Sequence, residues 1–379
     1  MAAQTKRNGK KGKSKTKIIL FAVELIIILA MVAVLWWVMS QEDEGPKVTV
    51  LDSSSLAIPS QVLEEKEEGG TMHGYMNIAL FGVDALNDKQ LFKDSRSDST
   101  MIASINLDTG DIKLVSVYRD SYLNLGKAGE LFNEDKLEEL RLDPDADYYS
   151  KCNGAYSYGG AAQAVKMLNM NLDMDITDFV TVGYKGLSKV IDGLGGVYVE
   201  VDSEELKHIN NYQQAVAEVL QCDYTKITET GYQCLNGVQA AAYCRIRQTA
   251  GSDFQRTARQ REVLKSIEAQ AKKADLTTLL KVFDNAIGDI YTSLDTDNIK
   301  ELLGNIANYS IVEEAGFPNE TMRANANLGA HGACIVPDNL VENVEWLHHF
   351  FFADEEYSVS DSVEQFSEKI LSDMAKYAK

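Results

Sequence analysis

The stretch "FVTVGYKGLSKVIDGLGGVYVEV", residues 179–201, decides the fold class because it predicts a strand, a helix and a second strand in succession. Residues 179–184 and 197–201 are short apolar runs typical of strands, and residues 185–196 predict a helix that stops at its glycines. Strands that alternate with helices along a chain favour an α/β sandwich built around a central sheet.

The segments upstream extend this pattern. Residues 75–84, "YMNIALFGVD", form a short apolar run typical of a buried strand that ends at Asp84. Residues 99–120 predict two strands joined by a turn at residues 107–110, and the second of these strands ends at Arg119. Several strands of the predicted sheet therefore carry a charged side chain at one end.

The first forty residues differ in kind from the rest. Residues 1–17 are rich in lysine, and residues 18–39 are mostly apolar, which is enough to cross a bilayer at about 1.5 Å per residue. Basic residues before this segment and acidic ones after it place the amino terminus in the cytoplasm. A cleaved signal peptide would have a shorter apolar core of about 7 to 15 residues and a small-residue cleavage site. We therefore expect a single-pass plasma-membrane protein whose main part is extracytoplasmic.

Beyond this anchor the sequence predicts three parts. Residues 40–74 are polar and acidic and lack a sustained amphipathic period, which is typical of a linker. Residues 75–275 contain the alternating strands and helices and are predicted to form the α/β domain. Residues 276–379 are predicted to be mainly helical and to pack on that domain or follow it.

Charge and cysteine usage exclude two classes of function. The chain has 57 acidic against 37 basic residues and a formal net charge of -20, so we expect no nucleic-acid partner. The five cysteines include no C-x-x-C pair, which argues against a zinc site. An extracytoplasmic location permits disulfides. Cys222 and Cys234 could close a short loop, but the connectivity stays open at this point.

This acidic chain nevertheless concentrates half of its arginines in residues 243–261, "YCRIRQTAGSDFQRTARQR". If the first residues of this stretch form a strand, Arg245 and Arg247 leave the same face, because strand side chains alternate. Two like charges on one face are costly unless an anion or carboxylates neutralise them. A helix capped by Ser252 or Asp253 is predicted to follow.

The helix separates the remaining arginines by direction. At 100° per residue, Arg256 and Gln260 share the face that also carries the apolar side chains and must pack inward. Arg259 lies at the flank of that face, and Arg261 is predicted to face solvent. The sequence therefore predicts that Arg245, Arg247 and Arg256 converge on one place.

Two interpretations fit these inward arginines. They could pair with the plentiful carboxylates, as arginines in acidic proteins often do, or they could bind an anionic ligand. Asp84 ends one predicted strand, Arg96 and Asp98 precede the next, and Arg119 ends a third, and ligand clefts of α/β sheets open at strand ends. Arginine forks beside two carboxylates suit a phosphorylated substrate with a divalent cation such as Mg²⁺.

Seven motifs, taken in order, resemble the LytR-CpsA-Psr family of cell-envelope glycopolymer transferases. They are "NIALFGVD", "RSDSTMIASIN", "VSVYRD", "KCNGAYSYGG", "VIDGLGGVYVEV", "LNGVQAAAYCRIR" and "DFQRTARQ". The match runs from about residue 75 to about residue 270, and the basic tail followed by a single anchor is also similar to the family. The resemblance implies an α/β fold with a central mixed β-sheet sandwiched by helices, preceded by one transmembrane helix.

The resemblance also implies an activity. Such enzymes of Gram-positive-type envelopes transfer an anionic glycopolymer, such as wall teichoic acid or capsular polysaccharide, from a polyprenyl-pyrophosphate carrier to peptidoglycan. The product is a phosphodiester, the reaction is Mg²⁺-dependent, and pyrophosphatase is an expected side activity. The alternative function, which would use the same residues, is a non-catalytic envelope protein that binds polyprenyl-pyrophosphate lipids as a regulator or scaffold.

Individual roles follow from the resemblance, motif by motif. Asp84 and Asp98 would hold Mg²⁺ or Mn²⁺ on the pyrophosphate, and either could accept the proton of the attacking hydroxyl. The side chains expected to bind the pyrophosphate oxygens are Arg96, Arg119, Lys151, Arg245, Arg247, Arg256 and Gln260. Those expected to act in catalysis are Asp98, Arg119, Arg245 and Arg247. The prenyl chain would lie in an apolar slot between sheet and helices, whose lining the motifs do not specify.

Overall fold

A computed structural model describes residues 47–377, except residues 86–87, 93–94, 250 and 355. The predicted cytoplasmic tail and transmembrane anchor lie outside the described residues. Within the described part, no helix combines the length and the apolar composition that crossing a membrane requires.

The described strands and helices alternate along most of the chain. The strands are β1 (Lys47–Val48), β2 (Tyr75–Val83), β3 (Ser97–Asn106), β4 (Asp111–Val117), β5 (Tyr122–Lys127), β6 (Asp147–Lys151), β7 (Asp178–Val182), β8 (Val197–Val201), β9 (Gly231–Leu235), β10 (Ile290–Thr292), β11 (Ser310–Phe317), β12 (Arg323–Asn327) and β13 (Ala333–Pro337). The helices are α1 (Ser60–Glu65), α2 (Asp88–Phe92), α3 (Ala128–Leu131), α4 (Glu134–Leu140), α5 (Asn153–Leu172), α6 (Tyr184–Gly193), α7 (Ser203–Leu220), α8 (Gly237–Tyr243), α9 (Ser252–Ala271), α10 (Leu276–Ala286), α11 (Thr296–Gly304), α12 (Leu340–Phe352) and α13 (Asp361–Tyr377).

A seven-stranded mixed sheet organises the fold, with the strand order β1-β10-β7-β2-β3-β4-β11. The pairs β2–β3, β3–β4 and β10–β7 are antiparallel. The pairs β2–β7, β11–β4 and β1–β10 are parallel. The predicted central mixed sheet is therefore confirmed.

The predicted turn between β3 and β4 is formed as the sequence indicates. The Asn106 side-chain oxygen accepts hydrogen bonds from the backbone N–H groups of Asp108 and Thr109, both at 3.0 Å, which closes the turn locally. Gly110 has a φ of +77°, and a Cβ there would lie 2.1 Å from the carbonyl oxygen of Asn308. Glycine thus satisfies both the backbone conformation and the close approach of the neighbouring chain.

The strand–helix–strand stretch of residues 179–201 forms as predicted, but its two strands belong to different sheets. β7 lies inside the central sheet, whereas β8 pairs with β9 in a separate two-stranded sheet. The inward valines of β8, Val197, Val199 and Val201, are fully buried. They pack with residues of α6, α7, α8 and α9 in a second hydrophobic core.

The central sheet therefore separates two packed layers. On one face, apolar side chains of β2, β3 and β4 pack against α5, whose buried residues include Ala161, Ala164, Val165 and Leu168. The second core, under α6 to α9, lies on the other side of the sheet. Leu80 of β2 and Val180 of β7 point to that side, because side chains alternate along a strand and their neighbours belong to the first core. The helices cover the sheet on both faces, as predicted.

The domain limits predicted from the sequence need two corrections. Residues 47–74 do not form a linker, because β1 joins the sheet and Leu56, Val62 and Met72 are buried in the main core. Residues 276–379 are mainly helical, as predicted, but they do not form a separate part, because they supply β10 and β11 to the central sheet. In both regions the strands and apolar positions are short and isolated, so the sequence shows no clear period there.

The open question of disulfide pairing has a simple outcome. All five cysteines are free thiols, including Cys222 and Cys234, which are both exposed. The loop closure considered for that pair is therefore not formed in this structure.

Candidate active site

A cavity of about 710 Å³ lies between the second face of the sheet and helices α6 to α9. Much of its lining is apolar, and the apolar residues come from β2, β3, β7 and the covering helices. They are Leu80, Phe81, Val83, Met101, Val180, Val182, Leu187, Tyr212, Ala241, Val263, Leu264 and Ile267. These residues form an apolar slot between the sheet and the helices.

Charged side chains line the part of the same cavity where the strands end. Asp84 follows the last residue of β2, and Arg119 lies just beyond the end of β4. Arg96 and Asp98 stand at the start of β3, which runs antiparallel to both neighbours, so these ends meet at one edge of the sheet. Further from this edge the cavity wall is apolar. Leu80 of β2 and Val180 of β7 line it there, because alternate side chains of a strand face the same side of the sheet.

Asp98 is the centre of the charged end. Its Oδ1 accepts a hydrogen bond from Arg119 Nη1 at 2.9 Å, and its Oδ2 accepts one from Arg247 Nη2 at 2.9 Å. Arg256 Nη1 lies 3.6 Å from Oδ2, and Arg256 Nη2 donates to the backbone oxygen of Asp98 at 2.9 Å. One carboxylate thus gathers three guanidinium groups.

Burial and charge oppose each other at this centre. Burial by itself raises the pKa of Asp98, but Arg256, Arg247 and Arg119 outweigh it and hold that pKa below its ordinary value. Arg256 has a side chain only 2% exposed. Burial lowers the pKa of Arg256 to about 10 against the raising effect of Asp253 and Asp98, so the group remains charged at neutral pH.

Asp84 and Arg245 form a more open pair nearby. Arg245 Nη2 lies 3.5 Å from Asp84 Oδ2, and the Asp84 side chain is 43% exposed. The Arg245 guanidinium also stacks over the ring of Tyr184 at 4.8 Å. Asp84 is therefore a partly exposed carboxylate next to a positive charge.

Arg245 and Arg247 reach the cavity by a different route from the one predicted. They do not lie in a strand, because α8 ends at Tyr243 and the chain then continues through a turn without a strand partner. The Arg245 N–H donates to the Ala242 carbonyl oxygen, which fixes the first residue of this turn. The two side chains both reach the cavity, although the strand that predicts this convergence is absent.

Arg259, which the sequence placed at the flank, is a buried support for that turn. Its Nη1 donates to the Ile246 carbonyl oxygen at 3.0 Å and its Nη2 to Thr249 Oγ1 at 2.7 Å. Its Nε donates to Glu205 Oε1 at 2.6 Å. Glu205 is fixed in turn by the capping box at the start of α7, where its Oε2 accepts from the Asp202 N–H at 2.9 Å.

The prediction that Arg261 faces solvent is wrong. Its Nη1 donates to Ser116 Oγ of β4 at 2.9 Å, and its Nε lies 3.8 Å from Glu314 Oε1 of β11. The side chain is only 12% exposed. Arg261 points away from the cavity as predicted, but the neighbouring strands of the sheet cover that direction.

Asp253 is a charged member of this site that the sequence analysis treated only as a helix cap. The residue at the N-cap is Gly251, and Asp253 lies in the first turn of α9. Its Oδ1 lies 2.9 Å from Arg256 Nη2 and 3.4 Å from Arg119 Nε. The i,i+3 spacing from Arg256 was the available signal, because such pairs are neighbours on a helix.

The remaining predicted residues differ in their distance from the cavity. Arg96 lines the charged end with an exposed side chain. Gln260 lines it too; its Nε2 donates to the Cys244 carbonyl oxygen at 3.4 Å, while its buried Oε1 has no partner among the described residues.

Lys151 lies outside the lining of the cavity. Its Nζ is 3.0 Å from Asp120 Oδ1. Asp120 Oδ2 lies 3.5 Å from Arg119 Nε, so Lys151 acts on the site through Asp120.

This combination of ordered motifs, fold and charged cavity matches one protein family. The LytR_cpsA_psr family model matches residues 47–343. The chain belongs to the LytR_cpsA_psr family. The resemblance drawn from the seven motifs is confirmed, and the match begins in the segment that the sequence analysis took for a linker.

Curated relatives of this LytR_cpsA_psr protein include transferases. The polyisoprenyl-teichoic acid--peptidoglycan teichoic acid transferase TagU of Enterococcus faecalis is 27% identical over 298 residues, 77% of this chain and 83% of that protein. Biofilm regulatory protein A of Streptococcus mutans is 26% identical over 234 residues, 60% of this chain and 52% of that protein. The chain thus spans about half the length of the second relative.

Solved structures of the LytR_cpsA_psr family share the fold. The Bacillus subtilis protein YwtF (TagT) with bound octaprenyl pyrophosphate lipid is 21% identical, with a TM-score of 0.51. The aligned region covers 75% of this chain and 93% of that one. The α/β architecture with its mixed sheet is therefore that of the family.

The carboxylates of this family site can be compared with what a divalent cation needs. Among the described residues, no three His, Cys, Asp or Glu side chains are grouped as a metal site. Mg²⁺ commonly takes only one or two carboxylates and completes its shell with waters and substrate phosphates. Asp84, whose side chain is 43% exposed, and Asp98 line one cavity, so the donors present fit a cation that arrives together with a phosphorylated substrate.

Proposed function

We propose that this protein transfers an anionic glycopolymer from a polyprenyl-pyrophosphate carrier to peptidoglycan and joins them through a phosphodiester. One observation carries the proposal. A single cavity places clustered arginines at the strand ends and continues as an apolar slot between sheet and helices. A polyprenyl pyrophosphate has the same division, with a dianionic head and a hydrocarbon tail.

The charged end is organised before substrate binds. Arg119, Arg247 and Arg256 are held by Asp98, so their guanidinium planes need little reordering when pyrophosphate oxygens arrive. Guanidinium forks bind phosphate oxygens in a bidentate way. Such preorganised charges stabilise the additional negative charge of a phosphoryl-transfer transition state.

The reaction that these groups favour is a displacement at phosphorus. The oxygen of a peptidoglycan hydroxyl forms a bond to the phosphorus that carries the glycopolymer, and the bond from that phosphorus to the bridging oxygen breaks. Polyprenyl phosphate leaves with the electron pair, and the hydroxyl proton passes to a carboxylate. Asp84 is the better acceptor of the two predicted candidates, because both oxygens of Asp98 already accept hydrogen bonds from arginines.

A divalent cation belongs to this proposal as a partner of the substrate. Asp84 and Asp98 would hold Mg²⁺, or Mn²⁺, against the pyrophosphate. When bound, the cation would supply further neutralisation of the phosphate charge. The predicted anchor at residues 18–39 would keep the cavity at the membrane, where a polyprenyl lipid resides.

The proposal is tested with the full-length chain in detergent, a prenyl-pyrophosphate glycolipid, peptidoglycan and Mg²⁺. Wild-type protein is expected to form the phosphodiester product, measured by mass spectrometry. Asp98→Asn should lower the rate by about 100-fold or more, because loss of one preorganised catalytic charge typically costs that much. Asp108→Asn, in the exposed turn between β3 and β4, is the matched control and should keep the wild-type rate.

Two outcomes would contradict the proposal. An Asp98→Asn rate within threefold of wild type would remove the charged end from the reaction. Tight binding of the glycolipid by wild-type protein without any transfer or hydrolysis would instead support the regulator or scaffold function. Thermal unfolding of each variant shows whether a lost rate reflects a lost fold.

A further inference from the structure

Arg323 of β12 packs against two aromatic rings. Its guanidinium carbon lies 3.9 Å from the centre of the Phe254 ring and 4.8 Å from that of Tyr118. The two rings contact each other edge to face at 4.7 Å. These cation–π contacts fix the position of the Arg323 guanidinium group.

The hydrogen-bond donors of Arg323 are mostly unused. Nη1 donates to the Pro318 carbonyl oxygen at 3.1 Å. Nε and Nη2 donate to no described residue, and neither is enclosed among the buried polar atoms that lack partners. No described carboxylate pairs with Arg323, although the chain has 57 acidic residues. The group thus offers an open, oriented pair of donors.

Arg323 packs on two residues that are sequence neighbours of the charged end of the cavity. Tyr118 immediately precedes Arg119, and Phe254 immediately follows Asp253. Arg119 Nε and Asp253 Oδ1 are 3.4 Å apart within the site. The Tyr118 N–H donates to the Phe317 carbonyl oxygen at the end of β11, and Arg323 donates to the carbonyl oxygen of the next residue, Pro318, so Arg323 lies at the end of β11.

We propose that Arg323 binds an anionic phosphodiester of the glycopolymer itself, beyond the pyrophosphate. This inference rests on the proposed function. A polymer joined to the pyrophosphate must leave the cavity at its charged end, because the rest of the lining is an apolar slot suited to the prenyl tail. Arg323 has two unused donor groups and packs on the residues that adjoin Arg119 and Asp253 in the chain, an arrangement that suits a pair of phosphate oxygens. Arg323 is thereby a polymer-binding residue outside the reaction centre.

The test compares two synthetic prenyl-pyrophosphate disaccharides, one plain and one extended by a single polyol phosphodiester. Binding of each to the full-length chain is measured by calorimetry, with transfer rates measured in parallel. Arg323→Gln should weaken binding of the extended lipid about tenfold and change binding of the plain lipid less than twofold. Arg323→Lys keeps the charge without the planar fork and should fall between Arg323→Gln and wild type. Arg141→Gln removes a charge from an exposed site elsewhere and should alter neither lipid's affinity.

Each other result overturns the inference. If Arg323→Gln weakened the binding of both lipids equally, Arg323 would have a structural role in the packing of β12 on α9. Equal affinity of wild-type protein for both lipids would show that no phosphodiester is recognised. Failure of the proposed function is distinguishable, since wild-type protein would then transfer neither substrate, whatever residue 323 is.

Discussion

Two groups of arginines from the same short stretch of chain behave in opposite ways. Arg247 and Arg256 join Arg119 around Asp98 in a cluster that opens into the cavity. Arg259, three residues after Arg256, is sealed against Glu205, with each of its three nitrogens donating a hydrogen bond. The open cluster, Arg119, Arg247 and Arg256 around Asp98, keeps positive charge for a ligand. The sealed pair, Arg259 with Glu205, instead holds a turn in place.

This difference separates the effects of mutation on stability from those on activity. A buried charge whose only partner is removed remains uncompensated, which is costly. In the open cluster Asp98 and Asp253 each contact more than one arginine, so each of them keeps a cation when one arginine is removed. Stability should therefore depend most on the sealed pair and activity most on the open cluster.

The largest loss of stability is expected from Arg259→Gln. It leaves the Glu205 carboxylate, 7% exposed, without its cation and should lower the free energy of unfolding by about 3 to 5 kcal/mol. Urea unfolding at pH 7 measures the change. Lys207→Gln, which breaks the exposed pair with Glu204, is the matched control and should cost about 1 kcal/mol or less. A comparable cost for both variants would erase the distinction between sealed and exposed pairs.

A smaller loss of stability with a large loss of activity is expected from Arg256→Gln. Asp98 keeps Arg119 and Arg247, and Asp253 keeps Arg119, so the free energy of unfolding should fall by about 1.5 to 3 kcal/mol, the range of a lost charged hydrogen bond. Transfer should fall by about 100-fold. If Arg256→Gln destabilised the protein as much as Arg259→Gln, the open cluster would be primarily structural.

The smallest expected effect is the response of stability to acid. Because the pKa of Asp98 is depressed in the folded protein below the ordinary value of 3.8, its contribution is present above that value. The contribution is lost as pH falls through the folded pKa. The free energy of unfolding should therefore fall more steeply below pH 3.8 in wild type than in Asp98→Asn. Parallel pH profiles for the two proteins would show that the three arginines do not lower the pKa of Asp98.

Much of the fold is predictable because it depends on short-range sequence patterns. The apolar runs of β2, β3 and β7 and the hairpin turn at Gly110 depend on neighbouring residues, and each forms where the sequence placed it. β11 was missed because its burial pattern is irregular and includes a bulge between Ile311 and Glu313. Its place in the sheet is decided by β4, far away in sequence.

The sequence predicts most of the charged side chains that line the cavity, but it does not predict the geometry that brings them there. Arg245 and Arg247 were assigned to the cavity from a strand that does not exist, and they reach it because Arg259 and Gln260 hold the turn by the Ile246 and Cys244 carbonyl oxygens. The environment of Arg261 could not be inferred locally, because Glu314 of β11 covers it. Contacts of this kind depend on tertiary distances that no sequence period encodes.

The late position of β11 in the chain has a consequence for biogenesis. β4, which leads directly to Arg119, has β3 on one side and β11 on the other. Until residue 317 has been synthesised, β4 is an edge strand with unpaired backbone groups, and such edges invite pairing with other chains. A chain truncated before that residue, for example at the predicted boundary of 275, would lack β11. Its β4 would stay an exposed edge that is prone to aggregation, and Arg119, which follows β4, would be less well supported.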